Sequence, residues 1–478
     1  LEKVMRRVLR IVKFGLLGLF GLIGIGLIGL AIANAPADSQ LKERIAALQA
    51  AGEPVSIADL GKNPPAAKEN AATYLDLAQK DCLAIQKQVS DVEEQEEADR
   101  AKRGEKLDDS FDDDPKMIEA YRAALAAHPK AVPLLIQASE CPRYHMILNY
   151  NNESPTAFIE EMLKKIQAER AAIRTLNYRV RLLMAEGNAE EALNTCLVML
   201  RLSNVCAQAP ALVGQLVTFA LRSVSLEACS RVLQSDQLSP EARQRLESEL
   251  ARQDIRGSYR DSFRTERAVG LSHFEDAKFL ATYSTLPQGK SEKLSYLDVM
   301  EALINHADQP SRAKLEMQRI LDRAGPLTQA LAPAIQATNE AVTRNEAQVR
   351  CLRVLNALLA RDASEAREAR EAREAQLSEL GLPPEVTIDP FNGKPLNLKR
   401  TEKGWIIYSV GKDLKDDGGL FDDTASDVGY GPANRGSCLE STLAGGSAHG
   451  VKTAVRGKLG ASYNSLARAS RDLIPASP

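Results

Sequence analysis

Six aspartates crowd one short stretch of the chain: Asp413, Asp416, Asp417, Asp422, Asp423 and Asp427, with Lys412 and Lys415 among them. Hard carboxylate oxygens on a loop hinged by Gly411, Gly418 and Gly419 are the donor type that Ca²⁺ accepts, since it takes six to eight oxygens at flexible geometry. The loop is therefore a candidate calcium site. The spacing departs from the DxDxDG calcium loop, and Lys415 sets a positive charge between the carboxylates. A solvated acidic turn, its repulsion screened by water and salt, is the competing reading.

Other groups that could do chemistry carry less. Cys141 and His145 stand four residues apart, but no second pair has matching spacing to complete a tetrahedral zinc site. Ser447 lies near His449 in a Gly-rich run without the strand–turn–helix mount that a nucleophile needs. Residues 24–29 read GIGLIG and match the dinucleotide pattern GxGxxG. That chemistry requires a preceding strand and a phosphate-facing loop, and here the glycines sit inside an apolar run. A net charge of −3 argues against nucleic acid as a partner, because that demands a clustered basic face. The expectation is a non-catalytic protein with no cofactor beyond the candidate calcium.

Around the acidic stretch, Asp389-Pro390-Phe391-Asn392-Gly393-Lys394-Pro395-Leu396 is followed by Tyr408-Ser409-Val410-Gly411-Lys412-Asp413 and by Asp416-Asp417-Gly418-Gly419. This pattern resembles the C-terminal hairpin of type II secretion pseudopilins of the major, G-type class. It is also similar to the ending of membrane-anchored helical proteins of planctomycete-like bacteria. The pseudopilin resemblance implies calcium in the loop after the second strand, at Asp413, Asp416 and Asp417. It covers the C-terminal hairpin alone, and the apolar run near the start lacks the glutamate that pilin assembly uses.

The elements that must position this loop begin with that run. Residues 14–33 form twenty positions without a charge, roughly 30 Å of helix, the thickness of a bilayer's hydrocarbon core. Lys3, Arg6, Arg7, Arg10 and Lys13 precede it, and such basic flanks stay in the cytoplasm. The expectation is a cytoplasmic basic segment at 1–13, a transmembrane helix at 14–33 and an extracytoplasmic remainder. A cleaved signal peptide is the alternative, since Ala31-Ile32-Ala33 fits the small-x-small rule, although the run exceeds the usual apolar length of about 7–15 residues.

Hydrophobic content of 44% supports a substantial core, while 5% aromatics with abundant Ala, Leu, Glu and Arg favours helices. Residues 34–114 read as juxtamembrane helices, one near 41–51 and one near 66–89, followed by an acidic, solvated linker. Residues 115–380 read as a helical body. Within it, residues 175–204 resemble a single tetratricopeptide-type hairpin, broken at Gly187-Asn188, with no recurrence at that period around it. A long last helix is expected over 332–380, ending in the exposed EAREAREAREA rod. Residues 381–423 then read as a β-hairpin carrying the acidic loop, strands near 396–399 and 405–410, packed on the long helix. Residues 424–478, rich in Gly, Ser and Ala, read as a disordered tail.

Seven cysteines without a CxxC pair give no readable disulfide framework, and Cys196, Cys206, Cys229 and Cys351 lie in apolar helical runs where a buried free thiol is expected. The fold class is mainly α, with an N-terminal transmembrane helix, a TPR-like hairpin body, a small C-terminal β-hairpin and a disordered tail. The expected role is a membrane-anchored scaffold or interaction module of the cell envelope, bound to the inner membrane through 14–33 and to a protein partner. An accessory of a type II secretion or pilus-like machine, and an enzyme with a dispersed site, stay open as alternatives.

Overall fold

The structure is a computed structural model that describes residues 34–104, 111–151, 154–235, 238–275, 289–323, 332–364, 377–421 and 426–432. The expected membrane helix at 14–33 and the EAREAREAREA rod lie outside these residues, as do GxGxxG and the Ser447–His449 pair.

Short polar side chains start the helices, by accepting the N–H groups that a first turn leaves unpaired. Asn70, Asp114, Ser154, Asn188, Ser239 and Asp254 each accept from a backbone N–H two or three residues on. Proline follows three of these caps directly, at Pro115, Pro155 and Pro240, where its missing N–H costs nothing. The helices are α1 (Asn34–Ala50), α2 (Ala71–Arg103), α3 (Pro115–Ala127), α4 (Ala131–Glu140), α5 (Pro155–Ala185), α6 (Ala189–Cys206) and α7 (Ala211–Leu233). They continue as α8 (Pro240–Ala251), α9 (Ile255–His273), α10 (Gly289–Asn305), α11 (Pro310–Leu321) and α12 (Ala332–Ser364). A small antiparallel sheet follows, β1 (Asn397–Thr401), β2 (Gly404–Ser409) and β3 (Val428–Tyr430), in the order β1-β2-β3. The chain is mainly helical, and one continuous hydrophobic core runs from Leu41 through α2, α5, α6, α7 and α12 to Tyr430.

Helix α7 is the centre of that core. Its sequence has no polar face, so it must be covered on all sides. Of its residues only Glu227 and Arg231 escape full burial. It is long and apolar enough to cross a membrane by length and composition, but its most apolar window is 94% buried inside the protein. α6, α9 and α12 pack around it. Two of its polar side chains find partners there: Gln215 Nε2 donates to Ser258 Oγ at 3.2 Å, and Ser223 Oγ to Gln348 Oε1 at 2.7 Å. Asn345 Nδ2 from α12 donates to the Phe219 carbonyl at 3.2 Å and to Ser223 Oγ at 3.1 Å.

Two sequence expectations are corrected here. α2 does not stop near residue 89 but continues to Arg103, where Gly104 at φ +73° closes it. The acidic stretch is also not simply solvated. Glu96 is buried and accepts from Lys116 Nζ at 2.5 Å and Arg103 Nη2 at 3.2 Å. Beyond it, Arg181 of α5, 2% exposed, donates to Asp113 at 2.9 Å and Asp112 at 3.1 Å. A guanidinium buried this deeply needs carboxylates, so the acids are drawn in to meet it. The second correction concerns 424–478: residues 428–430 form β3, while the tail beyond 432 lies outside the described residues.

The break between α5 and α6 falls where the sequence places it. Gly187 has φ +74°, its N–H donates to the Met184 carbonyl, and Asn188 N–H donates to Leu183 at 2.8 Å. This is the paired bonding of a Schellman end, which needs a left-handed residue. A Cβ at Gly187 would meet no atom within 4 Å, so any cost of substitution is backbone strain alone. Gly187→Leu is expected to destabilise the fold by about 1 kcal/mol, and Gly187→Asn by less. Equal melting temperatures for wild type and Gly187→Leu would show that the turn carries no such strain.

Candidate functional site

The sequence-predicted ligands sit on the loop after β2, and each has its own backbone partner. Asp413 Oδ1 accepts from Lys415 N–H at 3.2 Å. Asp416 Oδ1 accepts from Gly418 N–H and from Tyr408 O–H, both at 2.9 Å. Asp417 Oδ2 accepts from Ser426 N–H at 3.0 Å, and Asp427 Oδ2 from Gly419 N–H at 2.8 Å. The carboxylates point to separate donors rather than to one centre, and among the described residues no three His, Cys, Asp or Glu side chains are grouped to hold a metal ion. Asp422 and Asp423 lie outside the described residues. Gly411 at φ +66° lets the loop turn under Ser426, whose carbonyl oxygen would lie 1.9 Å from a Cβ there. The side chains most open to solvent on this loop include apolar ones, Leu414 at 59% and Leu420 at 57% exposure.

The residue that organises this unit is Asp389, which sequence reasoning passed over as a ligand-type acid. It is 1% exposed. Oδ1 accepts from Ser409 Oγ and Phe391 N–H, both at 2.8 Å, and Oδ2 accepts from Val410 N–H at 3.0 Å. Its own N–H donates to the Lys394 carbonyl at 2.7 Å, closing the turn that feeds β1. The signal that finds it is Asp-Pro-Phe-Asn-Gly, an aspartate placed to accept from the N–H two residues on. The sheet docks on α12, as expected of the hairpin: Trp405 Nε1 donates to Asp362 at 2.9 Å, and Arg350 to the Ile388 carbonyl at 2.6 Å.

Cys141 and His145 do not converge as a metal pair. His145 Nε2 lies 3.0 Å from the Leu60 carbonyl, and Cys141 Sγ donates to the Gln137 carbonyl. Cys82, Cys141, Cys196, Cys206, Cys229 and Cys351 are buried free thiols.

Buried carboxylates displaced from their ordinary range often mark functional sites, and Glu169 and Glu266 are two. Burial pushes Glu266 up to about 7, with Leu212 N–H pulling it back. Its role is structural: α7 begins after Pro210 with no side-chain cap and with Ala211 at φ +63°, in a place water does not reach. Thr265 Oγ1 accepts from Ala211 N–H and Glu266 Oε2 from Leu212 N–H, both at 2.9 Å. Burial pushes Glu169 up to about 8. It lines a recess with Asp76, Tyr144, Met146, Ile147 and Lys165 whose free volume, near 10 Å³, holds about one water. That is far below the roughly 300 Å³ of a small-molecule pocket, so the recess offers a proton site, not a substrate cleft. No family model, characterised protein or solved structure matches the chain.

Asp389→Ala leaves two buried donors and one part-buried donor without their acceptor and is expected to cost roughly 3–5 kcal/mol locally. Trp405 is the sole tryptophan and buried, so release of the sheet from α12 will shift its emission to the red. An unshifted spectrum in the variant would refute the organising role of Asp389. For Glu266, the sign of the pH effect follows from a raised folded value. Stability from this group is full below about 4.5 and is lost as pH rises through about 7. Glu266→Gln still accepts from Leu212 but cannot ionise, so it is expected to remove on the order of 2–3 kcal/mol of the stability that wild type loses between pH 5 and pH 8. Denaturant melts at the two pH values, parallel for both proteins, would contradict this.

Proposed function

We propose that the chain is a single-pass membrane protein whose helical body stands outside the cytoplasm as a non-catalytic scaffold or interaction module of the cell envelope. The observation that carries the reading is the uncharged run at 14–33 behind five basic residues. The α5–α6 pair serves as the TPR-like hairpin of this body, a packing unit suited to binding another protein chain. In support of an interaction role, α2 exposes Leu77 at 61% and Leu83 at 41%, and segments that pack near it expose Ile136 and Ile147. The pseudopilin-like hairpin favours a second reading, an accessory of a secretion or pilus-like machine, and the fixed loop with Leu414 and Leu420 outward is its contact surface.

A reporter enzyme that is active only outside the cytoplasm, fused after the last residue, is expected to be active. Activity only of a reporter restricted to the cytoplasm would overturn the topology and the envelope role with it.

A further inference from the structure

Lys165 and Glu169 are one turn apart on α5 and so share a face, yet they are not paired in the structure. Lys165 instead reaches across to α2 and holds Asp76 Oδ2 at 2.6 Å, with both side chains a quarter to a third exposed. Glu169, 1% exposed, accepts from the Tyr144 hydroxyl through Oε1. Its Oε2 is buried and has no hydrogen-bond partner among the described residues. All four side chains line the same recess, which has room for about one water.

We propose that Glu169 is a proton-operated latch that decides whether Lys165 clamps α5 to α2. With a proton on Glu169 the carboxyl is neutral, Oε2 tolerates its isolation, and Lys165 stays on Asp76. Once Glu169 ionises, an unpaired buried carboxylate is left one helical turn from a mobile ammonium. The lysine stem has four rotatable carbons and three donors, so its head swings across the recess to Oε2 and gives up Asp76 to water. Asp76 is exposed enough to accept that exchange.

The groups that face Glu169 set where the exchange falls. Tyr144 donates to it and Arg170 on its own helix attracts it, both favouring the ionised form, while burial works against that form and dominates. Cys206 at the end of α6 and Asp76 on α2 complete the charged and titratable surroundings. Burial holds the Cys206 thiol well above its ordinary range, so it stays neutral. The balance places the exchange near pH 8. Its output is the attachment of α2, next to the exposed Leu77.

The test uses the full chain in detergent and a carbodiimide, which activates a carboxyl group and leaves as its urea when the adjacent lysine, having given up a proton, forms the amide. Lys87 and Asp91, also 2.6 Å apart but on the outer face of α2, give an internal reference for the reagent's own pH dependence. The Asp76–Lys165 cross-link, measured by peptide mass spectrometry relative to Lys87–Asp91, is expected to fall severalfold from pH 6.5 to pH 9. In Glu169→Gln the ratio is expected to stay level. Tyr144→Phe removes the donor that favours ionisation, so the fall should move to higher pH; this variant tests the latch even if Glu169→Gln does not fold. A level ratio in wild type, an equal fall in Glu169→Gln, or an unmoved midpoint in Tyr144→Phe would each overturn the proposal.

Discussion

The start of α7 is buried together with the rest of the helix, and the surrounding architecture follows from that constraint. An apolar helix can dispense with water along its sides, but its first N–H groups cannot go unpaired. Because Pro210 offers no capping side chain, the donors must be met by another element, and α9 supplies Thr265 and Glu266. That places α9 across the end of α7. The Tyr296 hydroxyl then donates to the Glu266 carbonyl at 2.8 Å and brings α10 alongside. A carboxylate in this position is desolvated, and its raised proton affinity is the consequence of capping a helix where no solvent shares the task.

The C-terminal sheet depends on the core in a different way. The strands are only three to six residues long, and a hairpin of β1 and β2 alone would be marginal in water, so the sheet relies on its packing partners. α12 covers one face through Trp405 and Ile407, and the acidic loop folds over Tyr408 on the other. Asp389 joins the entry turn to the end of β2, so the unit closes on itself before it docks. The pairings Ile407 with Tyr430 and Ser409 with Val428 add the third strand directly after the acidic loop.

Much of this was legible where the signal is local. Ser239-Pro240-Glu241 starts α8, Gly187 ends α5, and the Thr401–Gly404 turn sets the hairpin register, since each depends on a few neighbouring residues. What was not legible depends on partners far along the chain. Glu96 lies in a stretch that reads as a solvated acidic linker, nothing local in the sequence marks Glu169 or Glu266 as buried, and it is packing against other parts of the chain that buries all three. The extension of α2 through 90–103 is of this kind: favourable helix formers with Glu96 four residues before Arg100 are consistent with it, but the burial comes from Lys116 and the turn at 111–113. β3 carries three residues, too short for any alternation to show.

The acidic loop shows how one residue type supports two opposed readings. Aspartates at close spacing suggest a cation, because their mutual repulsion asks for a counter-charge. The same side chains are also the shortest carboxylates, able to accept from the N–H two residues ahead. Asp389 to Phe391, Asn392 to Lys394, Asp413 to Lys415 and Asp416 to Gly418 repeat that one bond through the unit. Each turn satisfies a backbone donor that a strand would otherwise have paired, which matters in a region with so little ladder. The glycines at 393, 411, 418 and 419 supply left-handed backbone for the chain to reverse between them. Here the described aspartates cap backbone N–H groups in place of missing sheet, and burial, with Asp417 and Asp416 beside it, raises Asp427 to about 6.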